Sequence, residues 1–385
     1  MAGDSRWNVV VVGAGITGLA TAWFLAQRGI KRIAVVSDPE CPPATLASAG
    51  RIMGGQTDNY TRVSHAHGDE FARKLWQFGD AAFDRIVAFA QSFGVPVATG
   101  RRLRLITSPE EHTEAQKAVV QLCAAGFTAT LAPVNESQWG ESMLSRVLAI
   151  QDEGPRGGTL NTAGLLAALR QASGVTYETH SIQGLRAAAG HMELTHARGT
   201  LTCEIVVLAN HLHIANFVPE LGEALVPYAD QWHVGTGLRT GSWSAPGVCF
   251  SLNHGYEWGV TGLDSTLALG GGRFLRPLAG IGATLAQADS KASHYLQKQL
   301  VKTFDWGKSV TLGTARPLRE CWPCDELPVI GPMFGESRIL IATGFMGAGL
   351  TMGFQAGYCL AEMIATGRAP ELADRLWPHR LRSLA

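Results

Sequence analysis

The stretch WNVVVVGAGITGLATAWFLAQRGIKRIAVVSD, Trp7 to Asp38, reads as strand, tight turn, helix and strand, and the rest of the chain is arranged around it. Val9 to Val12 are β-branched and wholly apolar, as a parallel strand covered on both faces must be. Gly13, Gly15 and Gly18 then meet the G-x-G-x-x-G spacing: one for the turn, one for close approach of backbone to a pyrophosphate, one for helix against strand. The helix start at Ile16 and Thr17 offers free N–H groups and partial positive charge to phosphate oxygens. For the glycines alone, a tight turn that binds nothing is the competing reading. The acidic residue expected at the tip of the second strand falls on Ser37, with Asp38 next, and the sequence leaves open which of them holds a ribose.

Composition bounds the function. With 385 residues, 46% hydrophobic and 17% charged, the chain can bury a large core and is expected to form two domains. Thirty-two basic residues balance 32 acidic ones, so no electrostatic footprint for nucleic acid or an anionic membrane is present. No apolar run reaches the roughly 20 residues of a membrane span, and MAGDSRWN lacks a signal-peptide pattern, so a cytoplasmic location is expected. Seven scattered cysteines do not make a disulfide framework.

After the first βαβ come a Gly-rich loop, ASAGRIMGGQ, helical stretches around 69–93 and 111–125, a helix in GGTLNTAGLLAALRQA with Asn161 or Thr162 near its cap, and short strands from Val175 to Leu208. IVVLAN looks like a strand returning to the first domain. RILIATGFMGAGLTMGFQAGYCLAEMIATG then repeats strand, glycines and long helix. A nicotinamide enzyme would complete its nucleotide domain early, whereas here the elements interleave. The expected partition is 1–60, 140–215 and 325–385 for a cofactor domain, with 61–139 and 216–324 for a substrate domain.

These segments, with LALGGGRF and ARPLRECWPCDELPVIGP, make the chain resemble the FAD-dependent D-amino-acid oxidase superfamily over nearly its whole length. The resemblance implies an α/β (α+β) fold: a Rossmann-like FAD-binding domain interleaved with a substrate domain on a mixed, largely antiparallel sheet. It also implies non-covalent FAD, with the pyrophosphate on Gly13, Gly15 and Gly18 and the adenosine near Ser37 and Asp38. Ala49, Gly50, Arg51, Gly54, Gly55 and Gln56 would line the cofactor. Gly344, Met346, Gly347, Gly349, Leu350 and Thr351 would bring a backbone and a helix N-terminus against the flavin, where reduced-flavin charge is stabilised.

Arg316 falls where glycine oxidase and D-amino-acid oxidase place the arginine that binds the substrate carboxylate, a task its planar fork suits; an ion pair involving the neighbouring Arg319 and Glu320 is the alternative. The sarcosine-oxidase pattern fails: Ser64, Ala268, Leu318 and Thr351 stand where that family carries its carboxylate-binding arginine, its oxygen-activating lysine, its flavin-tethering cysteine and a further lysine. Tyr256 and His254 are candidates for the substrate pocket, or else strand residues packing beneath the sheet. Cys321 and Cys324, at C-x-x-C spacing, read as ordinary buried thiols or a redox dithiol. His65/His67 and His211/His213 alternate as strand residues would, but lack companions for a metal, and none is expected. The expected activity is hydride transfer to flavin N5 from a carbon bearing an amine, giving an imine, with an amino acid, imino acid or related amine as substrate and oxygen, a quinone or a partner protein as acceptor. A flavin subunit of a hetero-oligomeric dehydrogenase, or a pathway-specific oxidase of a larger amine, is the alternative; a homo-oligomer is also compatible.

Overall fold

A computed structural model describes residues 6–238, 241–283, 286–370 and 372–383, and the chain divides into two compact units. The first comprises Met1–Leu46, Thr162–Pro227 and Glu320–Ala385. Its eight-stranded sheet is centred on Trp7–Val12, which pairs in parallel with Ile33–Ser37 on one side and Gly199–Leu208 on the other. Glu336–Thr343 continues the parallel set beyond Gly199–Leu208, and Thr176–Thr179 extends it beyond Ile33–Ser37. Alternation divides the central strands between two cores. Val10, Val12, Val206 and Leu208 join Ile214, Val218 and Leu221 on one face. On the other, Val11 lies against Gly18 of the helix Ile16–Gln27, and a β-carbon on Gly357 of the helix Gly349–Thr366 would sit 2.7 Å from that of Ala20. The glycines of the C-terminal helix thus let two helices approach almost backbone to backbone.

The second unit comprises Ala47–Asn161 and Tyr228–Arg319. Its nine-stranded sheet runs in the order Thr311–Leu312, Leu225–Thr236, Leu267–Gly271, Glu257–Thr261, Cys249–Leu252, Arg102–Ile106, Ala149–Asp152, Thr130–Pro133, with Arg316–Pro323 also on Leu225–Thr236. Along that eight-strand order pairing is antiparallel except between Cys249–Leu252 and Arg102–Ile106, which run parallel. One face carries Leu103, Leu105, Phe250, Leu252, Leu267 and Leu269, buried with Leu296 and Leu300 of the helix Ser290–Thr303. A three-stranded antiparallel sheet of Arg51–Met53, Gly157–Leu160 and Val97–Gly100 completes the unit.

The unit boundaries differ from the expected ones for a physical reason. Ala149–Asp152 and Gly157–Leu160 pair with strands at 102–106, 130–133, 51–53 and 97–100, so 140–161 stays in the second unit, and the first unit's return begins at Thr162. The first cut falls after Leu46 rather than at 60, since Arg51–Met53 belongs to that small sheet, and the last falls before Glu320 rather than at 325.

Glu257 is fully buried on the side of the nine-stranded sheet that faces the helix Ser290–Thr303. Its Oε1 accepts the Tyr295 hydroxyl at 2.9 Å, while Oε2 has no partner among the described residues. Burial pushes this carboxyl from 4.5 up to about 7, against the opposing hydrogen bonds from Tyr295 and Asn253. Because the folded state holds the proton more tightly, the stabilisation is complete below the unfolded value and is lost as pH rises through about 7. Glu257→Gln should remove that dependence. Between about pH 5 and about pH 8 the native protein is expected to lose about 2–3 kcal/mol more than the variant, an amount set by the size of the shift. Parallel melting-temperature profiles for the two would refute the assignment.

Candidate functional site

In the first unit the turn after Trp7–Val12 separates glycines that the fold requires from one that it does not. Gly13 has φ +113°, and a β-carbon there would lie 2.5 Å from the Ala209 carbonyl oxygen; one on Gly18 would lie 1.8 Å from the Gly13 carbonyl oxygen. Gly15 differs: its φ of −80° suits any residue, and a β-carbon would meet Thr45 Oγ1 at 3.4 Å and Pro43 Cβ at 3.8 Å, both ordinary contacts. Gly15 caps the helix Ile16–Gln27 without a side chain, and the first turn carries no acidic residue. The Ile16 N–H donates to Thr45 Oγ1 at 3.0 Å, and the helix itself has no acceptor for the N–H groups of Thr17 and Gly18. Beside the turn, following the strand Gly199–Leu208, Asn210 has a buried side-chain oxygen without a hydrogen-bond partner among the described residues. Room beside Gly15 and first-turn donors without helical acceptors together fit the pyrophosphate of a dinucleotide.

Ser37 is the last residue of its strand, and among the described residues its hydroxyl makes only a long 3.5 Å bond to the Glu178 carbonyl. Asp38 is more committed, its Oδ1 accepting from Ser181 Oγ at 2.8 Å and from the Glu40 N–H at 3.0 Å. In the C-terminal loop Gly344, Met346 and Gly347 all have left-handed backbone. Gly349 opens the final helix, and a β-carbon placed there would meet nothing within 4 Å. Leu350 and Thr351 are buried, and the Thr351 hydroxyl bonds back to the Ala348 carbonyl at 3.3 Å, so their side chains serve the unit's own packing.

In the second unit the sheet face opposite the helix Ser290–Thr303 carries a row that sequence reasoning missed. Register places Trp232, Gly270 and Trp258 side by side on three adjacent strands. Gly270 must be glycine here, because a β-carbon would lie 2.2 Å from the Trp258 ring. The guanidinium of Arg51 lies 4.6 Å from the Trp258 ring centre, and that of Arg316 lies 4.8 Å from the ring centre of Trp232. Trp232 is buried, with its indole N–H donating to the Ala47 carbonyl at 2.9 Å. Arg316 is exposed and has no hydrogen bond or ion pair among the described residues, so the ion-pair reading of this arginine is not realised. Asp230, two residues before Trp232, is buried, and burial raises its carboxyl above the usual range. Alternation of short apolar and polar residues in DQWHV and EWGVT could have pointed to the two indoles, but only the register sets them in one row.

The remaining candidates are distributed unevenly. Ala49 packs against the buried cluster of Trp232, Cys249, Val260 and Ala268, and Gly50 has left-handed backbone with φ +75°. Gly54, Gly55 and Gln56 face the unit's interior: the absent side chains of the two glycines make room for Asp80, Arg156, Trp76 and Arg102, and Gln56 Nε2 donates to the Leu75 carbonyl. Any contact from these three to a cofactor is therefore through backbone. The Tyr256 ring is 39% exposed, with the Arg273 guanidinium 5.1 Å from its centre and Phe274 edge-on at 5.9 Å. His254 is turned to the helix Pro109–Ala124, its backbone N–H donating to Glu111 at 2.6 Å and its Nδ1 3.5 Å from Glu114. The structure therefore does not bring His254 to Arg316. His65 and His67 lie on the helix Tyr60–His67, and His211 and His213 on a 3-10 turn; the two-residue spacing was misleading because neither segment is extended. Cys321 is buried and Cys324 exposed, with no disulfide between them. Among the described residues no group of three or more His, Cys, Asp and Glu could hold a metal ion, and no helix is long and apolar enough to cross a membrane.

Residues 8–363 match the family model described as FAD dependent oxidoreductase. Among solved structures, glycine oxidase from Geobacillus kaustophilus is similar with a TM-score of 0.79 at 16% identity, covering 97% of this chain and 99% of its own. L-proline dehydrogenase from P. horikoshii also gives 0.79 at 16% identity, over 98% of each chain. L-amino acid deaminase from Proteus vulgaris gives 0.78 at 16% identity, over 99% of this chain and 98% of its own. At such identities these likenesses establish a shared fold.

Proposed function

The chain belongs to the FAD-dependent oxidoreductase family, its cofactor is FAD, and from that premise we propose that it oxidises the C–N bond of an amino or imino acid. When bound, FAD supplies the two-electron acceptor for a C–H bond adjacent to nitrogen, the product being an imine that hydrolyses.

The observation that carries this reading is Arg316. It is an exposed guanidinium, unpaired among the described residues and backed by the face of a buried indole. Stacking on Trp232 leaves the edge of the guanidinium, with its donors, directed away from the ring, where a planar carboxylate can take two parallel hydrogen bonds. Anchoring the carboxylate fixes the α-carbon relative to the sheet face, and that orientation is the protein's main contribution to the rate. Arg51, held over Trp258 on a neighbouring strand, adds positive charge to the same face. In the first unit the N–H groups at Thr17 and Gly18 would hold the pyrophosphate, and the left-handed Gly344–Gly347 loop would present backbone, with the final helix's N-terminal partial charge behind it, to the flavin. The names of the similar structures, which include a proline dehydrogenase and amino acid deaminases, support the same substrate class.

The test is anaerobic titration of the purified yellow protein with D- and L-amino acids, cyclic imino acids, N-methyl amino acids and polyamines, followed by admission of air. Bleaching by carboxylate-bearing amines is the expected result, with the rate of colour return separating oxygen from another acceptor. Bleaching by polyamines alone would overturn the role of Arg316, and a protein that takes up no flavin would overturn the proposal as a whole.

A further inference from the structure

The loop Gly54–Asp58 is held from behind by a buried charge cluster that the chemistry above does not use. Arg102 and Arg104 alternate with Leu103 and Leu105 along one strand, which sends the leucines into the core against Ser290–Thr303 and the arginines to the opposite face. Between them sits Glu153, just after the paired strand Ala149–Asp152, with its side chain 3% exposed. Arg102 Nε lies 2.8 Å from its Oε2 and Arg104 Nε 2.5 Å from its Oε1, while Gln151 Nε2 donates to Oε1 at 2.8 Å. The outer ends of both guanidiniums turn to the loop. Arg102 donates to the Gly54 carbonyl at 2.6 Å and to the Gln56 carbonyl; Arg104 donates to the carbonyls of Asp58 at 2.9 Å and Thr57 at 3.3 Å. From the other side Asp80 accepts the Gly55 N–H at 2.9 Å, and a β-carbon on Gly79 would lie 1.9 Å from the Gly55 carbonyl oxygen.

Burying three charges costs several kcal/mol per ion in lost hydration, and an apolar core of equal volume would usually hold a loop at least as stably. What apolar packing cannot do is fix the direction of four consecutive-region carbonyls, which requires donors at set positions. Glu153 keeps both guanidiniums charged, in place and pointed outward. Burial weakens the Arg102 charge, lowering that group to about 10 even with the Glu153 carboxylate opposing the effect.

We propose that Glu153 is a positioning residue for FAD binding: through Arg102 and Arg104 it sets the backbone of Gly54–Asp58, and thereby the Ala49–Gln56 segment, in the shape that receives the cofactor. This rests on the reading that Ala49–Gln56 belongs to the FAD site. Glu153 touches the cofactor nowhere in this scheme. Its effect is on affinity, as for other residues that orient the groups in direct contact with a ligand.

The test compares wild type, Glu153→Gln and Arg104→Lys as full-length apoproteins titrated with FAD, read by quenching of flavin fluorescence, with thermal melting followed in parallel. Arg104→Lys keeps the charge and leaves the Arg102–Glu153 pair intact, but a single ammonium cannot span Glu153 and two carbonyls. Both variants should bind FAD about tenfold or more weakly while the folded apoprotein still melts cooperatively. Should Glu153→Gln fail to fold, Arg104→Lys decides alone. A cooperatively folded variant whose dissociation constant for FAD stays within about twofold of wild type would overturn the proposal, since a merely structural cluster would move melting but not affinity. Wild type that takes up no FAD would instead overturn the family-based reading of the site.

Discussion

Arg316→Met is expected to lower kcat/KM by about 10²–10³-fold on a carboxylate-bearing substrate, and to leave FAD content and melting temperature close to those of wild type. The separation follows from where this side chain sits. It is exposed, stacks 4.8 Å from the Trp232 ring centre, and forms no hydrogen bond or ion pair among the described residues, so the folded protein loses little when it is removed. A substrate carboxylate docked against it would lose two charge-assisted hydrogen bonds, and would have to leave water without replacement partners, about 3–4 kcal/mol in all. Arg316→Lys retains charge but not the fork, and belongs in between, with a loss of about tenfold. The loss should appear mainly in KM if the carboxylate is held equally before and during reaction, and in kcat as well if it is the contact that aligns the C–H bond. An amine lacking a carboxylate should be insensitive to the change. If Arg316→Met turned over the bleaching substrate within about threefold of wild type, the carboxylate would be held elsewhere, with Arg273 beside Tyr256 the next candidate.

Much of the fold was legible because its signals are local. The apolar run at 9–12, the glycines at 13, 15 and 18 and the second apolar run are each complete within a few residues, and the helices near 69–93 and 111–125 appear as Asp69–Ser92 and Pro109–Ala124. The interleaving of the two units was legible for the same reason, since each return to the first unit is marked by its own strand. What failed depends on pairing between distant segments. GGTL, ahead of the helix cap expected at Asn161 or Thr162, carries no strand signal of its own, but Gly157–Leu160 is a strand because Arg51–Met53 and Val97–Gly100 flank it, and this moves the unit boundary from 140 to Thr162. His65 and His67 were read as extended because alternation in two residues cannot distinguish a strand from a helix. The proposed substrate face was the least legible part. The role proposed for Arg316 comes from resemblance, whereas Trp232, Gly270 and Trp258 meet only through the register of three strands, and Glu153 meets Arg102 and Arg104 only through another pair. Glycines carry two meanings that a sequence alone does not separate: the interior of the second unit already requires glycine at Gly54 and Gly55, apart from any backbone contact they make to a cofactor.

The same distinction yields the sharpest contrast in the phosphate turn. Gly15→Ala is expected to leave the apoprotein within about 1 kcal/mol of wild-type stability, because a backbone at φ −80° accepts alanine and the added carbon has room; the loss of a good N-cap and the gain in chain stiffness roughly offset. FAD affinity should nevertheless fall by about 10²-fold or more, since a methyl group there stands between the first-turn N–H donors and the phosphate oxygens, and two charge-assisted bonds of about 1.5–3 kcal/mol each are stretched or lost. Gly18→Ala should do the reverse. Its β-carbon would lie 1.8 Å from the Gly13 carbonyl oxygen, a backbone atom that cannot swing aside without breaking the turn, so a loss beyond about 4 kcal/mol is expected and the variant should melt early or fail to fold. Thermal melting of the two apoproteins and FAD titration of whichever folds separate the roles. Wild-type FAD affinity in Gly15→Ala would remove the pyrophosphate from this turn, and a Gly18→Ala protein as stable as wild type would mean the helix approaches the strand with slack that the 1.8 Å separation denies.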